Sequence, residues 1–364
     1  MKHIYFTVTN DLNFDQRMQR ICSSLAANGY KVSLIGRSEK NSLPLAKTSF
    51  HQHRLSLIFN KGFLFYAEYN IRLFCYLWSK KIDAICAIDL DTILPCLLLS
   101  KIKSISRIYD AHELFCEMKE VVSRPFIRRI WKALEKRTVP QFINGYTVNS
   151  PLKSIFKKDY GVDYCVIRNM PLLSSPHCIQ SKEDFIIYQG AVNEGRSFET
   201  LIPAFQFIDL PLHIYGDGNF LVEAKAIANK FLLQDKVVFK GSALPAALKQ
   251  ITPKAILGVN LIENNGLNNY YSLANRFFDY IHAGIPQLCV GYPAYKEIND
   301  QFKVAYLIED LSPTNIATSI NIILSNKELQ KRMAENCKEA RDIFNWQEEE
   351  KRLLDFYHKL FLSE

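Results

Sequence analysis

The sequence predicts an α/β protein made of two doubly wound, Rossmann-like domains that face each other across a cleft. Strand-like and helix-like patterns alternate along the whole chain, which is typical of parallel sheets covered by helices. The alternation breaks once, in a stretch after position 172 that is rich in Ser, Pro and polar residues. The 364 residues, 48% of them hydrophobic, are enough for two full cores.

The first domain is predicted to span residues 1–172. Asp15 and Gln16 suit the start of its first helix. Its strands are predicted at Ile4–Val8, Val32–Ile35, Ala84–Ile88, Ser106–Tyr109 and Gly145–Val148, and its helices at Asp15–Ala27, Leu64–Lys80, Thr92–Lys101 and Pro125–Thr138. This order of elements predicts one parallel sheet with helices packed against it.

A linker over residues 173–183 is predicted to lead to a second domain over residues 184–343. The second domain repeats the alternation of the first. Its strands are predicted at Phe185–Tyr188, His213–Tyr215, Val237–Phe239, Ala255–Val259 and Gln287–Val290, and its helices at Phe198–Phe207, Phe220–Lys230 and Ile316–Ser325.

Residues 344–364 are predicted to form a terminal helix that packs back on the first domain. A break is expected near Phe344-Asn345-Trp346, and the residues after it carry an apolar stripe that has to be buried. The stripe consists of Trp346, Leu353, Leu354, Tyr357, Leu360 and Phe361.

The net charge of +8 is distributed unevenly. Residues 1–175 contain 26 Lys and Arg against 14 Asp and Glu, whereas residues 176–364 contain 19 against 23. A basic first half suggests an anionic partner on that side, such as a membrane surface, although an ordinary solvated surface is equally compatible. Nucleic acid is disfavoured because the chain has no finger, RNP-type or helix-turn-helix signature.

Cysteine usage and the start of the chain indicate the compartment. The nine cysteines are scattered and none forms a Cys-x-x-Cys pair, so we expect neither a disulfide framework nor a zinc cluster. Met1–Phe6 runs straight into a strand pattern without the architecture of a signal peptide. We therefore expect a cytoplasmic protein, with the inner face of the cytoplasmic membrane as a further option.

The most informative segment is Tyr270–Gly284, which lies between two buried strand patterns. Small and polar residues open a helix there, with Ser272 as the expected N-cap. The unpaired N–H groups and partial positive charge of a helix start suit a diphosphate. Asp279 is two turns further along and is expected to reach ribose hydroxyls. The segment therefore predicts a nucleotide-sugar site.

A second loop of this domain, from Gly190 to Arg196, connects a strand to a helix. Its two glycines allow backbone N–H groups to approach a phosphate, and Arg196 can clamp that phosphate through paired donors. An ordinary turn with a surface arginine explains the segment equally well.

Three further strand ends of the second domain are candidate donor contacts. Gly216 and Gly218 form a Gly-x-Gly pair, which is a weak signal because tight turns need glycine in any case. The backbone at Gly241 can contact a base. Glu263 follows the strand that precedes Tyr270–Gly284, so it belongs to the same wall of the predicted cleft.

Two strand-end loops of the first domain carry polar side chains. Asn10, Asp11 and Asn13 can bond sugar hydroxyls, although turn formation is the simpler explanation for each of them alone. In Asp110-Ala111-His112-Glu113, the imidazole is a candidate donor to a sugar hydroxyl or to developing charge. The two acids beside His112 are expected to raise its pKa or to cap the following segment.

The stretch Lys119–Arg137 mixes basic and aromatic residues. Pro125 is expected to start a helix in which Phe126, Ile127, Ile130, Trp131 and Leu134 recur at helical spacing. This is the composition of a membrane-surface helix. We favour the alternative, a core-facing apolar stripe with a solvated basic face.

Together these segments resemble a GT-B glycosyltransferase and, more narrowly, glycosyltransferase family 4. The resemblance covers nearly the whole chain. The best match is the segment SLANRFFDYIHAGIPQL at residues 272–288. It is similar to a subgroup pattern written Ser-Leu-Pro-Asn-Lys-Leu-Phe-Glu-Tyr, followed by Ala-Gly-x-Pro.

The chain departs from the family pattern at several positions. The wider family has two glutamates eight positions apart, of which the second binds the nucleotide ribose and the first lies near the donor sugar. Asp279 stands at the second position and Tyr271 at the first. In the glycine loop, Ala191 falls where many members have Arg, and Arg196 falls where they have Lys. Arg276 stands where the subgroup has Lys and is expected to compensate in part.

The resemblance implies a retaining, metal-independent transfer from a nucleotide diphosphate sugar to a glycan or lipid-linked glycan in surface polysaccharide synthesis. A donor phosphate oxygen would take the acceptor proton. The implied catalytic residues are Arg196, His112 and Arg276. The implied donor-binding residues are Gly190, Gly216, Gly218, Gly241, Glu263, Tyr271, Ser272, Leu273, Asn275 and Asp279. The implied acceptor-side residues are Asn10, Asp11, Asn13, Asp110 and Glu113.

No cofactor is implied beyond the donor itself. The first strand-end loop is not Gly-x-Gly-x-x-Gly, which argues against NAD, and no His-x-x-x-His or Asp-x-Asp pair is singled out as a metal site. Two alternatives remain open. Tyr271 and Ala191 favour a weak or inactive nucleotide-sugar-binding homologue. A GT-B-fold epimerase would need acid–base carboxylates in the cleft.

Overall fold

The computed structural model describes residues 1–13, 15–40, 42–174 and 182–362. The chain divides into two compact units. Unit 1 consists of Met1–Asn169 and Glu349–Glu364, and unit 2 consists of Met170–Glu348. Most of the expected linker, residues 175–181, lies outside the described residues.

Unit 1 contains a parallel sheet of seven strands in its described part, in the order β3-β2-β1-β4-β5-β6-β7. The strands are β1 (His3–Thr7), β2 (Lys31–Arg37), β3 (His51–Leu55), β4 (Ala84–Ile88), β5 (Ser106–Ala111), β6 (Asn144–Thr147) and β7 (Cys165–Val166). The helices are α1 (Gln16–Ala27), α2 (Gly62–Trp78), α3 (Ile93–Lys103), α4 (Lys119–Val122), α5 (Pro125–Thr138) and α6 (Ser150–Tyr160).

The start of α1 and the core strands follow directly from the sequence. Asp15 caps α1 as expected, because its carboxylate accepts the Met18 N–H at 3.0 Å. Strand β4 is buried along its whole length, as a central parallel strand covered on both faces should be.

Unit 2 contains a second parallel sheet, with six strands in its described part in the order β10-β9-β8-β11-β12-β13. The strands are β8 (Ile186–Gln189), β9 (Leu212–Tyr215), β10 (Val237–Gly241), β11 (Leu257–Asn260), β12 (Gln287–Val290) and β13 (Ala305–Ile308). The helices are α7 (Phe198–Ala204), α8 (Leu221–Lys230), α9 (Pro245–Ile251), α10 (Leu267–Tyr270), α11 (Asn275–Ala283), α12 (Pro293–Phe302), α13 (Pro313–Ser325) and α14 (Lys327–Ile343).

The last helix, α15 (Trp346–Leu362), returns to unit 1 from Glu349 onward. The expected break before it is confirmed, because α14 ends at Ile343. Leu353 and Tyr357 are fully buried, and the Tyr357 hydroxyl lies 3.3 Å from that of Tyr146 in β6. The predicted terminal helix on the first domain is therefore confirmed.

Helix α5 begins at Pro125 as predicted, but its apolar residues do not all face the core. Trp131 packs against the rings of Tyr66 and Phe115, at centroid distances of 5.3 and 4.9 Å. Phe126 is 71% exposed and Ile130 is 46% exposed. The favoured prediction of a core-facing stripe is therefore wrong for these two residues.

Both sheets are parallel, so the carboxyl ends of their strands meet at one edge of each sheet. In unit 1 the loops after β1, β4 and β5 meet there, and in unit 2 the loops after β8 to β11 do.

No helix within the described residues has the length and apolar character needed to cross a bilayer.

Candidate functional site

In unit 2, a buried arginine meets the glycine loop at the carboxyl end of β8. Arg276, in the first turn of α11, is 7% exposed, and its guanidinium carbon lies 4.3 Å from the centroid of the Tyr188 ring. Gly190 has φ 122°, and a Cβ at that position would lie 3.6 Å from the guanidinium carbon. Nη1 of Arg276 is buried and has no hydrogen-bond partner. A buried guanidinium with an unused donor suits an anion at this loop.

Asp279, three residues after Arg276 on α11, contacts the same strand end. Gln189 Nε2 donates to Asp279 Oδ2 at 2.9 Å, and Thr252 Oγ1 donates to Gln189 Oε1 at 2.6 Å. These bonds fix the carboxylate beside the residue that precedes Gly190. The structure therefore places Arg276 and Asp279 at the strand end that leads into Gly190, and the donor-binding role of all three stays a prediction.

The loop that carries Arg196 packs against the loop that follows β11. The Glu263 N–H donates to the Gly195 carbonyl at 2.9 Å, and a Cβ at Gly195 would lie 2.9 Å from the Asn265 amide nitrogen. Arg196 is half-buried next to this contact. The following residue, Ser197, has φ 59°, and its hydroxyl is buried without a partner.

Gly216 and Gly218 have a packing role that is independent of any ligand. A Cβ at Gly216 would lie 1.9 Å from the Gly190 carbonyl oxygen, and one at Gly218 would lie 2.3 Å from that of Val192. The two glycines therefore allow the turn after β9 to lie against the Gly190 loop. Gly241, with φ 73°, faces open space.

Ser272 does not cap α11, so that prediction was wrong. The helix begins at Asn275, and its N-cap is Ala274, whose N–H donates to the Tyr295 hydroxyl at 2.9 Å. The Ser272 hydroxyl instead donates to the Asn269 carbonyl at 2.7 Å, just after the short helix α10. The chain makes this extra helical turn before α11, and the serine completes that turn.

The other donor-side predictions around α10 and α11 are placed as follows. The Tyr271 ring makes an edge contact with Tyr270 at a centroid distance of 5.0 Å, and Tyr270 in turn packs against Tyr292. Leu273 packs against the core of unit 2, and Asn275 is exposed.

In unit 1, a buried ion pair holds His112 at the carboxyl end of β5. Asp110 is fully buried, and both of its oxygens lie near Arg17, at 3.0 Å from Nη2 and 3.3 Å from Nε. His112 Nε2 lies 2.9 Å from Asp110 Oδ2 and 2.9 Å from Arg17 Nε. On the other side of the ring, Nδ1 lies 3.5 Å from Asp89 Oδ2, and the His112 N–H donates to Asp89 Oδ1 at 2.9 Å.

These contacts shift the pKa values of the cluster in opposite directions. Burial alone would lower the pKa of His112, but Asp110 and Asp89 raise it to about 9. Burial raises the pKa of Asp89 to about 7, against the opposing effect of His112. Burial would also raise the pKa of Asp110, but Arg17 and His112 lower it below its ordinary value. The raised pKa of His112 favours its protonated form at neutral pH.

A cavity of about 350 Å³ opens beside this cluster at the carboxyl edge of the sheet. Its carboxyl groups come from Asp89, Asp91 and Glu113. Its rings come from Phe65, Tyr66 and Phe115. Thr9, Asn10, Arg37, His112 and Met118 complete the wall. Burial raises the pKa of Asp91 to about 6, although a hydrogen bond from the Thr9 hydroxyl opposes this shift.

Of the predicted acceptor-side residues, the cavity contains Asn10 and Glu113, together with His112. Asp11 instead forms an ion pair with Arg54 at 2.5 Å. Asn13 Nδ2 donates to the carbonyls of residues 43 and 44. Asp11 thus ties the β1 loop to β3 itself, and Asn13 ties it to the segment that leads to β3. Asp110 lies beneath the cavity in the ion pair with Arg17.

A larger groove of about 580 Å³ lies at the other edge of the unit 1 sheet. Lys2, Asp83, Arg107 and Asn144 belong to its wall. These residues lie before or at the starts of their strands, and ligands of open parallel sheets bind at the opposite edge.

Comparison with known proteins assigns the fold. Residues 171–340, all in unit 2, match the family model described as Glycosyl transferases group 1. No curated protein sequence matches the chain. Sucrose-phosphate synthase from Thermosynechococcus elongatus has a TM-score of 0.82 at 15% identity, and the alignment covers 100% of both chains. WaaG, a glycosyltransferase involved in lipopolysaccharide biosynthesis, has a TM-score of 0.74 at 16% identity over 96% of this chain and 98% of its own.

The fold is GT-B. A third structure, of Anabaena Alr3699/HepE in complex with UDP-glucose, has a TM-score of 0.74 at 13% identity over 99% of this chain and 100% of its own. Together with the family model, these likenesses support the GT-B glycosyltransferase superfamily.

Sequence reasoning missed four charged residues of this GT-B protein. Arg17 gave no signal, because a buried arginine in the first turn of a helix has the same local sequence as an exposed one. Arg37 is the last residue of β2, and its position at a strand end was the only sequence feature that could have indicated a functional role. Asp89 and Asp91 form an Asp-x-Asp pair directly after the predicted strand Ala84–Ile88, and that spacing could have identified them.

Within the described residues, no group of three or more His, Cys, Asp or Glu side chains could hold a metal ion.

Proposed function

We propose that this protein is a retaining glycosyltransferase of the family 4 type, which transfers a sugar from a nucleotide diphosphate sugar to a glycan or lipid-linked glycan in surface polysaccharide synthesis. The observation that carries the proposal is the buried Arg276 guanidinium, which lies against Gly190 with one donor unbonded. The family model over residues 171–340 supports it, as does the UDP-glucose complex of a structural neighbour.

The diphosphate of the donor would bind at the Gly190 loop. Arg276 would contribute its unbonded Nη1, and Arg196 would contribute a second guanidinium from the same loop. Asp279 would accept hydrogen bonds from the ribose hydroxyls. Two guanidinium groups next to a glycine loop can neutralise a leaving diphosphate, which is why we propose that the transfer needs no metal ion.

The proposed reaction exchanges one bond at the anomeric carbon for another. The bond from this carbon to the phosphate oxygen breaks, and the acceptor oxygen bonds to the same face. The acceptor proton moves to an oxygen of the departing diphosphate. No side chain has to act as nucleophile, so the protein contributes positioning and electrostatic stabilisation.

The acceptor would bind in the unit 1 cavity. Phe65, Tyr66 and Phe115 offer faces for a sugar ring, and the carboxyl groups of Asp89 and Asp91 offer acceptors for its hydroxyls. This lining favours a neutral sugar. His112, whose Nε2 and Nδ1 both face carboxyl groups, would act on the bound groups through its positive charge.

Thermal unfolding with a panel of UDP- and GDP-sugars tests the donor assignment, because a ligand that binds only the folded state raises Tm. We expect one nucleotide sugar to raise Tm, and Arg196→Ala to abolish turnover without unfolding the protein. Full activity of Arg196→Ala would remove its phosphate role. Donor binding without hydrolysis or transfer to any acceptor would favour the inactive-homologue alternative, for which Tyr271 and Ala191 are the motivating residues.

A further inference from the structure

We propose that one surface of unit 1 binds the surface of an anionic lipid bilayer. The surface is formed by residues 58–64 and 122–130, and we call it the apolar–basic surface. Its first component is α5, which turns Phe126 and Ile130 outward, together with the exposed Val122 at the end of α4. The opposite side of α5, with Trp131 and Glu135, is the side that packs against the unit.

The charges that α5 exposes are all positive. Arg129, Lys136 and Arg137 are exposed, and so is Arg124 at the N-cap. The one acid of the helix, Glu135, is buried and pairs with Lys132 at 2.8 Å. On α4, Lys119 and Glu120 are adjacent and offset each other. Large apolar side chains next to unopposed cations are characteristic of a helix that lies at a membrane surface.

The second component is the start of α2 and the loop before it. Phe63 is 74% exposed, and Ile58, Phe59 and Leu64 are also exposed. The loop backbone is held in place, because the Glu68 carboxylate accepts the N–H groups of Ile58 at 3.0 Å and Phe59 at 2.9 Å. The apolar side chains therefore point outward from a fixed loop, and Lys61 adds a cation next to them.

The helices that carry the two components, α2 and α5, are in contact. Tyr66 of α2 and Trp131 of α5 are in edge contact at a centroid distance of 5.3 Å. Tyr66 also lines the unit 1 cavity, together with Met118 at the N-cap of α4. A bilayer bound to the apolar–basic surface would therefore lie near the mouth of the cavity. From there a lipid-linked acceptor could enter the cavity. Only this delivery of the acceptor rests on the proposed function.

Charge selects a bilayer as the occupant. Residues 1–175 carry 26 Lys and Arg against 14 Asp and Glu, so the long-range field of this half attracts anions. A bilayer presents anionic headgroups over its whole surface, so cations in any arrangement can pair with them. Its acyl chains surround Phe and Ile side chains without a complementary pocket. A protein partner would have to present a matching acidic, apolar patch.

Vesicle sedimentation of the full-length protein tests the proposal. We expect binding to phosphatidylcholine vesicles that contain phosphatidylglycerol, weaker binding to phosphatidylcholine alone, and a loss of binding at high salt. Removing two cations with Arg124→Gln/Arg129→Gln should weaken binding roughly 30-fold, because each basic residue near the surface contributes about a factor of five. Phe126→Ser/Ile130→Ser should weaken binding to anionic vesicles at low salt without changing how steeply binding falls as salt is added.

Two matched controls lie on unit 2. Val222→Ser removes an apolar side chain that is 76% exposed, and Lys331→Gln/Arg332→Gln removes two exposed cations from α14. Both should bind vesicles as the unchanged protein does, and circular dichroism should show the same fold for all variants. The proposal is overturned if the unchanged protein ignores anionic vesicles at low salt, or if the unit 2 controls lose as much binding as the unit 1 variants.

Discussion

The guanidinium of Arg276 lies 4.3 Å from the centroid of the Tyr188 ring and beside the backbone of Gly190, with its Nη1 buried and unbonded. Burying a charge without full hydrogen bonding costs free energy, so the arrangement does not serve stability alone. An incoming anion would complete the bonding of this group. The incompletely bonded Arg276 therefore lowers the stability of the free protein, and a bound anion would recover that free energy.

Arg276→Met should weaken nucleotide binding without weakening the fold. We expect affinity for a nucleoside diphosphate to fall roughly 10- to 100-fold, because one charge-assisted hydrogen bond is lost, whereas Tm of the free protein stays the same or rises. Calorimetric titration with UDP or GDP and a thermal melt measure the two quantities. Arg332→Met, an exposed arginine of α14, should change neither. Unchanged affinity in Arg276→Met would remove this residue from the donor site.

Gly216→Ala should destabilise unit 2 by at least ~2 kcal/mol, because its Cβ would lie 1.9 Å from the Gly190 carbonyl oxygen and has to displace backbone. Gly241→Ala is the matched control. It has open space around its Cβ, so only its positive φ is strained, at a cost of ~1 kcal/mol. Urea denaturation measures both variants. Equal losses would show that contact with the Gly190 loop is unimportant.

Asp91→Asn should impair acceptor use and leave the donor side intact. With a saturating donor we expect KM for the acceptor to rise roughly tenfold, because the side chain loses a charged hydrogen-bond acceptor. Donor hydrolysis in the absence of acceptor should be unchanged. Asp163→Asn, an exposed carboxylate of unit 1, is the control and should affect neither rate. A parallel loss of donor hydrolysis would argue that Asp91 acts on the donor or on the fold.

His112→Gln should lower stability in a pH-dependent way. The pKa of His112 is raised from 6.5 to about 9 in the folded protein, so its stabilising effect is fully present below pH 6.5 and is lost as pH rises through 9. The difference in unfolding free energy between the two proteins should therefore shrink across this range by up to ~3 kcal/mol, at about 1.4 kcal/mol per pKa unit. His358→Gln, which removes an exposed histidine of α15, is the control. A difference that stays constant with pH would contradict the ion-pair assignment.

Sequence patterns predicted the elements whose signals are local. Pro125–Thr138 and Gln287–Val290 were located at both ends. In contrast, β3 (His51–Leu55) was missed, because the polar sequence HQHRL lacks the hydrophobic run of a core strand and pairs only at the sheet edge. Helix α12 (Pro293–Phe302) was also missed.

The residues of the candidate site divide in the same way, into those with a local sequence signal and those placed by tertiary contacts. Asp279 was a candidate from its spacing along a predicted helix, whereas Arg276 was a candidate only through the family resemblance; both lie on α11, and their roles stay predictions. The wrong cap at Ser272 depended on where the chain leaves α10, which tertiary contacts such as the Tyr295 hydrogen bond decide. The cluster of Arg17, Asp110 and His112 joins a helix to a strand far along the chain, so no local pattern could reveal it.

The return of α15 to unit 1 has a consequence for biosynthesis. Unit 2 is an insertion between two parts of unit 1, so the ribosome completes all of Met170–Glu348 before the segment that covers Tyr146 emerges. Unit 2 can therefore reach its native state while the part of the first sheet around Tyr146 still lacks its cover from α15. Unit 1, although most of it is synthesised first, can therefore complete its fold only after the last segment of the chain has been made.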